Sequence, residues 1–146
     1  MRTSTATTYS YRPEYADTIH VSQLTVQQIK ATPLTPQVRY HENINLMWIS
    51  GNSIKPANSD VLMSAVDIAV DHLSEKGRLR LVLDLKRINA SAVKALMNLF
   101  NQLKNQQRFS REIHVTWMIA YQDDEMLEMA VDFMSLFGVK IEIRPY

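Results

Sequence analysis

The sequence predicts an α/β fold: a mixed β-sheet with helices packed on it, in the order β-β-β-α-β-α-β-α-β. Three observations carry this expectation. The stretch Arg80–Leu103, RLVLDLKRINASAVKALMNLFNQL, reads as an apolar strand, a tight polar turn and an amphipathic helix. A second strand–helix–strand pattern fills Val115–Ile143. Before them, two prolines and short alternating segments read as extended chain. Strand–helix–strand units of this length need parallel neighbours joined by right-handed crossovers, while the short early strands pair antiparallel.

Taken in order, residues 1–24 are rich in Thr, Ser and Tyr and show no packing period, which predicts a flexible arm ahead of a domain at 25–146. Tyr9, Tyr11 and Tyr15 lie in that arm. Val26–Lys30 reads as a strand, and Thr32-Pro33-Leu34-Thr35-Pro36 as an extended connection. Val38–His41 and Asn45–Ser50 read as an antiparallel pair about Glu42-Asn43, with Leu46, Trp48 and Ile44 directed at the core. Lys55–Asp60 opens a helix with Asn58 or Ser59 as cap, and Leu62, Ala65, Val66, Ala69 and Leu73 form its buried face. Gly77 ends it.

The central strand, Leu79–Leu85, is nearly continuous in apolar residues, as expected when both faces of a sheet are covered. Asp84 interrupts it near its end. Asn89 suits a helix N-cap, and Val93, Leu96, Met97, Phe100 and Leu103 form the stripe of the next helix. Ile113, Val115, Trp117 and Ile119 alternate as a strand. Gln122-Asp123-Asp124-Glu125 opens a last helix with the stripe Leu127, Ala130, Val131, Met134 and Phe137. Gly138 closes it, and Val139–Ile143 is the final strand.

Composition excludes several function classes. At 146 residues the chain suits one domain able to bury a core, and 46% apolar residues describe a globular protein. Sixteen basic against fifteen acidic residues give no general attraction to nucleic acid or to a membrane surface. Without cysteine there is no disulfide, thiolate chemistry or Cys-based metal site. No apolar run is long enough to span a bilayer, and the first residues lack a secretory core, so a cytoplasmic protein is expected.

Little in the chain points to catalysis. His20, His41, His72 and His114 are scattered, without a partner at metal-ligand spacing, and read as surface or core-edge residues. Asp123, Asp124 and Glu125 are accounted for by the first turn of a helix, whose N–H groups favour acids. Gly51, Gly77 and Gly138 belong to no phosphate-cradling loop. No metal and no cofactor is expected. The polar turn at the carboxyl end of the central strand is the place to look, since α/β folds concentrate function there. Lys86, Arg87, Asn89, Ser91 and Lys94 cluster at it. A phosphoryl group on Ser91 would meet helix N–H donors and change the surface charge by ~2 units, whereas an unmodified Ser91 is an ordinary first-turn serine.

LDLKRINASAVKALMNLF resembles the central segment of the SiaC family of regulatory phosphoproteins, where a strand, an Asn-Thr-Ser-Ser turn and a helix follow in that order. ISGNSIKPANS at Ile49–Ser59 is similar to that family's start of the first helix, and Val115–Ile143 to its closing strand–helix–strand. The resemblance covers about residues 24–143 and none of the arm. It implies a STAS-like single domain that works by binding and not by catalysis. It also implies three partners: a serine/threonine kinase, a PP2C-type phosphatase, and a diguanylate cyclase that the unphosphorylated form activates to promote biofilm formation through cyclic di-GMP.

Asn89 matches the family asparagine, but the phosphorylated threonine falls on Ala90. Ser91 matches the next serine, Ala92 replaces the one after it, Lys94 matches the family lysine, and Ala57 replaces a glutamate. The resemblance therefore leaves two expectations. Either the switch has moved to Ser91, within a docking surface of Arg87, Asn89, Ala90, Ser91 and Lys94 with Asp84 shaping the turn, or the chain is a constitutive interaction module, homodimeric or not.

Overall fold

A computed structural model describes residues 26–55 and 60–146. The strands and helices follow the expected order: β1 Val26–Ile29, β2 Gln37–His41, β3 Leu46–Ser53, α1 Asp60–Lys76, β4 Arg78–Ile88, α2 Ala90–Gln107, β5 Glu112–Ile119, α3 Asp124–Phe137 and β6 Ile141–Pro145. The arm at 1–24, and the cap candidates Asn58 and Ser59 with Ala57, lie outside the described residues.

The six strands stand in the sheet in sequence order, β1-β2-β3-β4-β5-β6. The first two pairings are antiparallel and the last three parallel. Each helical crossover therefore steps one strand in the same direction. Right-handed crossovers that all step one way put all their helices on one face. The single core agrees, joining Leu62, Ala69 and Leu73 of α1, Leu96, Leu99 and Phe100 of α2, and Ala130 and Phe133 of α3 to one face of the strands. Phe100, Trp117 and Phe133 pack as an aromatic cluster with ring centroids 5.1–6.0 Å apart.

This corrects the expectation that the central strand is covered twice. Leu79, Leu81, Leu83 and Leu85 belong to the core, while Arg80, Val82, Asp84 and Lys86 alternate onto a face that carries no helix among the described residues. The phase of β3 also differs from expectation. Met47 and Ile49 enter the core, Trp48 is 39% exposed, and Ile44 is exposed in a 3-10 turn over Glu42–Ile44. Asn45 closes that turn at φ 56, a left-handed conformation asparagine tolerates, and shifting a strand by one residue exchanges its faces.

Two helical stripes are rotated as well. In α2 the buried set is Ala92, Ala95, Leu96, Leu99, Phe100 and Leu103, leaving Val93 half-buried and Met97 exposed. In α3 it is Met126, Ala130 and Phe133, with Leu127 and Val131 exposed at 40% and 47%. Small residues explain the first rotation: buried Ala65, Ala69, Ala92 and Ala95 let α1 and α2 pack closely, and side-chain size ranks alanine too low in a hydrophobicity pattern. The last strand begins two residues later than expected, with Val139 buried in the connection before it.

Two polar residues lock this frame. His72 is only 2% exposed, which overturns its reading as a surface or core-edge histidine. The Tyr40 hydroxyl lies 2.5 Å from its Nδ1, and its Nε2 lies 2.9 Å from Asn45 Oδ1. An amide oxygen only accepts, so Nε2 carries the proton and Nδ1 accepts from Tyr40. One imidazole thus ties α1 to β2 and to the left-handed residue before β3. Burial holds its pKa below the usual 6.5, against the opposing pull of the Arg78 backbone and of Glu42 and Glu75. Burial also raises the Tyr40 hydroxyl to about 12.

Asn89 is the second lock. Its Oδ1 accepts from the Ala92 N–H at 2.9 Å, as an N-cap should, and its Nδ2 donates to the Lys55 carbonyl at 3.0 Å. Its own N–H donates to the Ser53 carbonyl at 3.1 Å. The residue that starts α2 therefore also holds the end of β3.

Replacing His72 by Ala leaves the Tyr40 hydroxyl and the Asn45 amide without their buried partner, and should cost about 2–3 kcal/mol in urea denaturation at neutral pH. Asn89→Ala should cost about 1–2 kcal/mol, lowering Tm by roughly 3–8 °C in a thermal melt. The histidines also set a pH dependence. His41 is likewise held below 6.5, by burial and then by Arg39. A depressed imidazole pKa means that the unfolded chain binds protons first as pH falls. Stability from these groups is complete above pH 6.5 and is lost as pH drops from there through the folded values. Denaturation curves between pH 8 and pH 5 should show this decline, and His72→Gln should reduce it.

Candidate functional site

Strands β3 to β6 are parallel, so their carboxyl ends share one edge of the sheet, where the segments after β3, β4 and β5 gather. The longest strand, β4, runs to Ile88, and a single residue, Asn89, separates it from α2. No flexible linker intervenes, so the first turn of α2 is fixed relative to the sheet. Asp84 does not shape this turn, as expected from the sequence, because the strand continues past it. Its Oδ1 accepts instead from Lys86 Nζ at 3.2 Å and from the hydroxyl of the last residue, Tyr146, at 2.8 Å. Lys86 also donates to that hydroxyl and lies 4.4 Å from the centre of its ring. The bond to Tyr146 raises the Lys86 pKa, with Asp84 contributing in the same direction.

The five residues singled out from sequence all fall here, on two different sides of α2. Arg87 is exposed at the end of β4, Ala90 is the exposed first residue of the helix, Ser91 behind it is half-buried, and Lys94 is exposed one turn on. Between α2 and α3 runs an open groove of about 710 Å³, lined by Arg87, Asn89, Ala90, Val93 and Met97 on one side and by Glu125, Glu128, Asp132 and Leu136 on the other. Ser91 and Lys94 are not in it. Each helical residue turns about 100°, so Ala90, Val93 and Met97 share the groove stripe while Ser91 and Lys94 share the next one.

The α3 half of the groove was not found from sequence. Asp123, read from the sequence as a first-turn acid, is instead the cap of that helix and accepts from the Met126 N–H at 3.1 Å. The helix itself carries Asp124, Glu125, Glu128 and Asp132 with no lysine or arginine, and among the described residues none of the four is in an ion pair. That one-signed composition was the available signal. The groove thus joins exposed apolar side chains, Met97 and Leu136, to cations at the β4 end and carboxylates along α3. Such a surface recognises another macromolecule by shape and charge. Among the described residues there is no cluster of three or more His, Asp or Glu suited to a metal, and no helix is long and apolar enough to cross a membrane.

Comparison with known proteins gives one family and several structures. A model of the SiaC family regulatory phosphoproteins matches residues 29–146. A chain in the crystal structure of the diguanylate cyclase SiaD with its activator SiaC from Pseudomonas aeruginosa superposes with a TM-score of 0.76 at 20% identity, covering 82% of this chain and 99% of that one. Apo-SiaC from the same organism gives 0.71 at 22% identity, with 83% and 99% covered. A further SiaC structure gives 0.74 at 21%, with 84% and 100% covered. No curated protein matches. At these identities the structures establish the fold. The family model spans the sheet from the end of β1 and all three helices, and by that match the chain belongs to the SiaC family of regulatory phosphoproteins.

Proposed function

We propose that this chain is a non-enzymatic, cytoplasmic signalling regulator that docks and activates a diguanylate cyclase, in a bacterial biofilm pathway using cyclic di-GMP. The turn Asn89–Ser91 and the first half of α2 would form the docking surface, with Arg87 and Lys94 at its edges. The observation that carries this reading is the family match over residues 29–146, which includes the whole strand–turn–helix unit. A structural relative is described as the activator of a diguanylate cyclase in complex with it. A rigid turn beside an open groove of exposed apolar and charged side chains suits the docking of a macromolecule.

Control would come from a serine/threonine kinase and a PP2C-type phosphatase acting on Ser91. At the second position of α2 a phosphoryl group meets the positive end of the helix, with Lys94 three residues on along the same face. Added charge at a docking surface weakens association by repulsion and by the cost of desolvating a phosphate. A specific observation favours a second reading, a constitutive module without this switch. The side chain exposed at the groove, where the family has threonine, is the methyl of Ala90, and Ser91 is half-buried.

The two readings separate in one set of measurements with a purified diguanylate cyclase. A regulator switched at Ser91 should bind about tenfold more weakly as Ser91→Asp, or ~1.4 kcal/mol, while Ser91→Ala activates the cyclase as the wild type does. Phosphopeptide mapping of protein purified from its own cells should then find phosphate on Ser91. Equal activation by wild type and Ser91→Asp, with no phosphate recovered, selects the constitutive module. Failure of all three proteins to bind any cyclase rejects the cyclase as partner.

A further inference from the structure

The face of the sheet opposite the helices presents a row of residues in register across all six strands: Gln28, Arg39, Trp48, Val82, Thr116 and Glu142. Its middle is apolar. Trp48 is 39% exposed, Val82 beside it is only 7% exposed although it lies outside the helix-side core, and Met118 on the same face is half-buried. Cations outnumber carboxylates on this face. Arg39, Arg78, Arg80, Lys86 and Arg144 stand against Asp84, Glu112 and Glu142, a net charge of +2. His41, on this face, is held below its usual pKa by burial.

The chain itself supplies a candidate cover. Residues 1–25 lead directly into β1, whose sheet partner among the described residues is β2, so the segment joins the described sheet at its edge. Extended, 25 residues reach up to ~80 Å, while six strands about 4.8 Å apart span only ~24 Å. The segment holds Tyr9, Tyr11, Tyr15, Ile19 and Val21, with Pro13 set against a helix, and its Glu14 and Asp17 balance Arg2 and Arg12. Tyr9 and Tyr11, two apart, would point to one side of an extended chain. It is also additional to the shared domain: the family model begins at residue 29, and the SiaC structures are covered to 99–100% of their own length by 82–84% of this chain.

We propose that residues 1–25 fold back from the β1 edge across this face and rest on Trp48, Val82 and Met118 as an intramolecular cover. The aromatic side chains bury the apolar middle of the row.

The full chain tests this directly, because it has no cysteine and a single one can carry a label. In Thr18→Cys bearing a nitroxide, the methyl signal of Met118 and the indole signal of Trp48 should be lost, and should return when the nitroxide is reduced. Met63 and Met97, exposed on the helix layer, should keep their methyl signals. Equal loss on both layers, or no loss at Met118, overturns the proposal. So does loss seen only when nitroxide-bearing chains are mixed with separately isotope-labelled chains, since a second copy would then be the cover. With Trp48→Ala, which removes only an exposed ring, the Met118 signal should recover, and an unchanged loss would overturn the place given to Trp48.

Discussion

Handedness is the constraint on which this molecule depends. Strands β3 to β6 are laid down in sequence order, so the crossovers through α1, α2 and α3 all step the same way. A right-handed connection then leaves no choice of side, and the helices must form one layer. Among the described residues there are consequently two unlike faces, a helical layer over the core and a sheet face behind it that carries no helix. It also lacks the reversal of strand order at which doubly wound folds open a ligand crevice. What it offers in place of a crevice is surface: a groove between neighbouring helices, and the row through Trp48 and Val82.

Within that plan, precision comes from polar residues that each hold several elements. Asn89 caps α2 and ties Ser53 and Lys55 at the end of β3 to it, so the first turn of α2 cannot move without disturbing the sheet edge. His72 does the same at the opposite ends of these strands, through Tyr40 and Asn45. An apolar core of this kind tolerates many shapes of side chain, but buried donors and acceptors accept few partners. These two residues therefore fix registers and angles that Leu and Ile contacts alone would leave adjustable.

The order of elements was legible in the sequence because each one is long or bounded by clear punctuation. Gly77 and Gly138 end helices, Asn89 and Asp123 begin them, and prolines mark the early connection. Which face each element buries was less legible. Asn45 in a left-handed turn shifts the phase of β3 and exchanges Trp48 for Met47 and Ile49, and a two-residue period cannot reveal that shift. Buried alanines rotate α2 because close helix packing selects small side chains, which a stripe of large apolar residues does not register. For the site, the turn was found and its far wall was not. Glu128, Asp132 and Leu136 join Ala90 only through the packing of α2 against α3, which no local pattern encodes.

The one-residue offset between Ala90 and Ser91 changes the electrostatics of any switch at this turn. The groove is lined by Lys86 and Arg87 against Asp123, Glu125, Glu128 and Asp132, so its own charge is already net negative. A phosphoryl group at position 90 would add two more negative charges to that field and would act by making the groove repel an acidic partner outright. From Ser91, about 100° further round the helix, the same group leaves the groove and shares a stripe with Lys94. There it would be partly neutralised by the lysine and by the helix terminus, and its influence on the groove would fall off with salt over roughly 8–10 Å. Regulation from Ser91 would therefore be weaker and more salt-sensitive than regulation from position 90, unless the partner's footprint crossed α2 and covered both stripes. A footprint of that width would put Lys94 and Ser91 in the interface itself, so that the stripe outside the groove would govern the docking inside it.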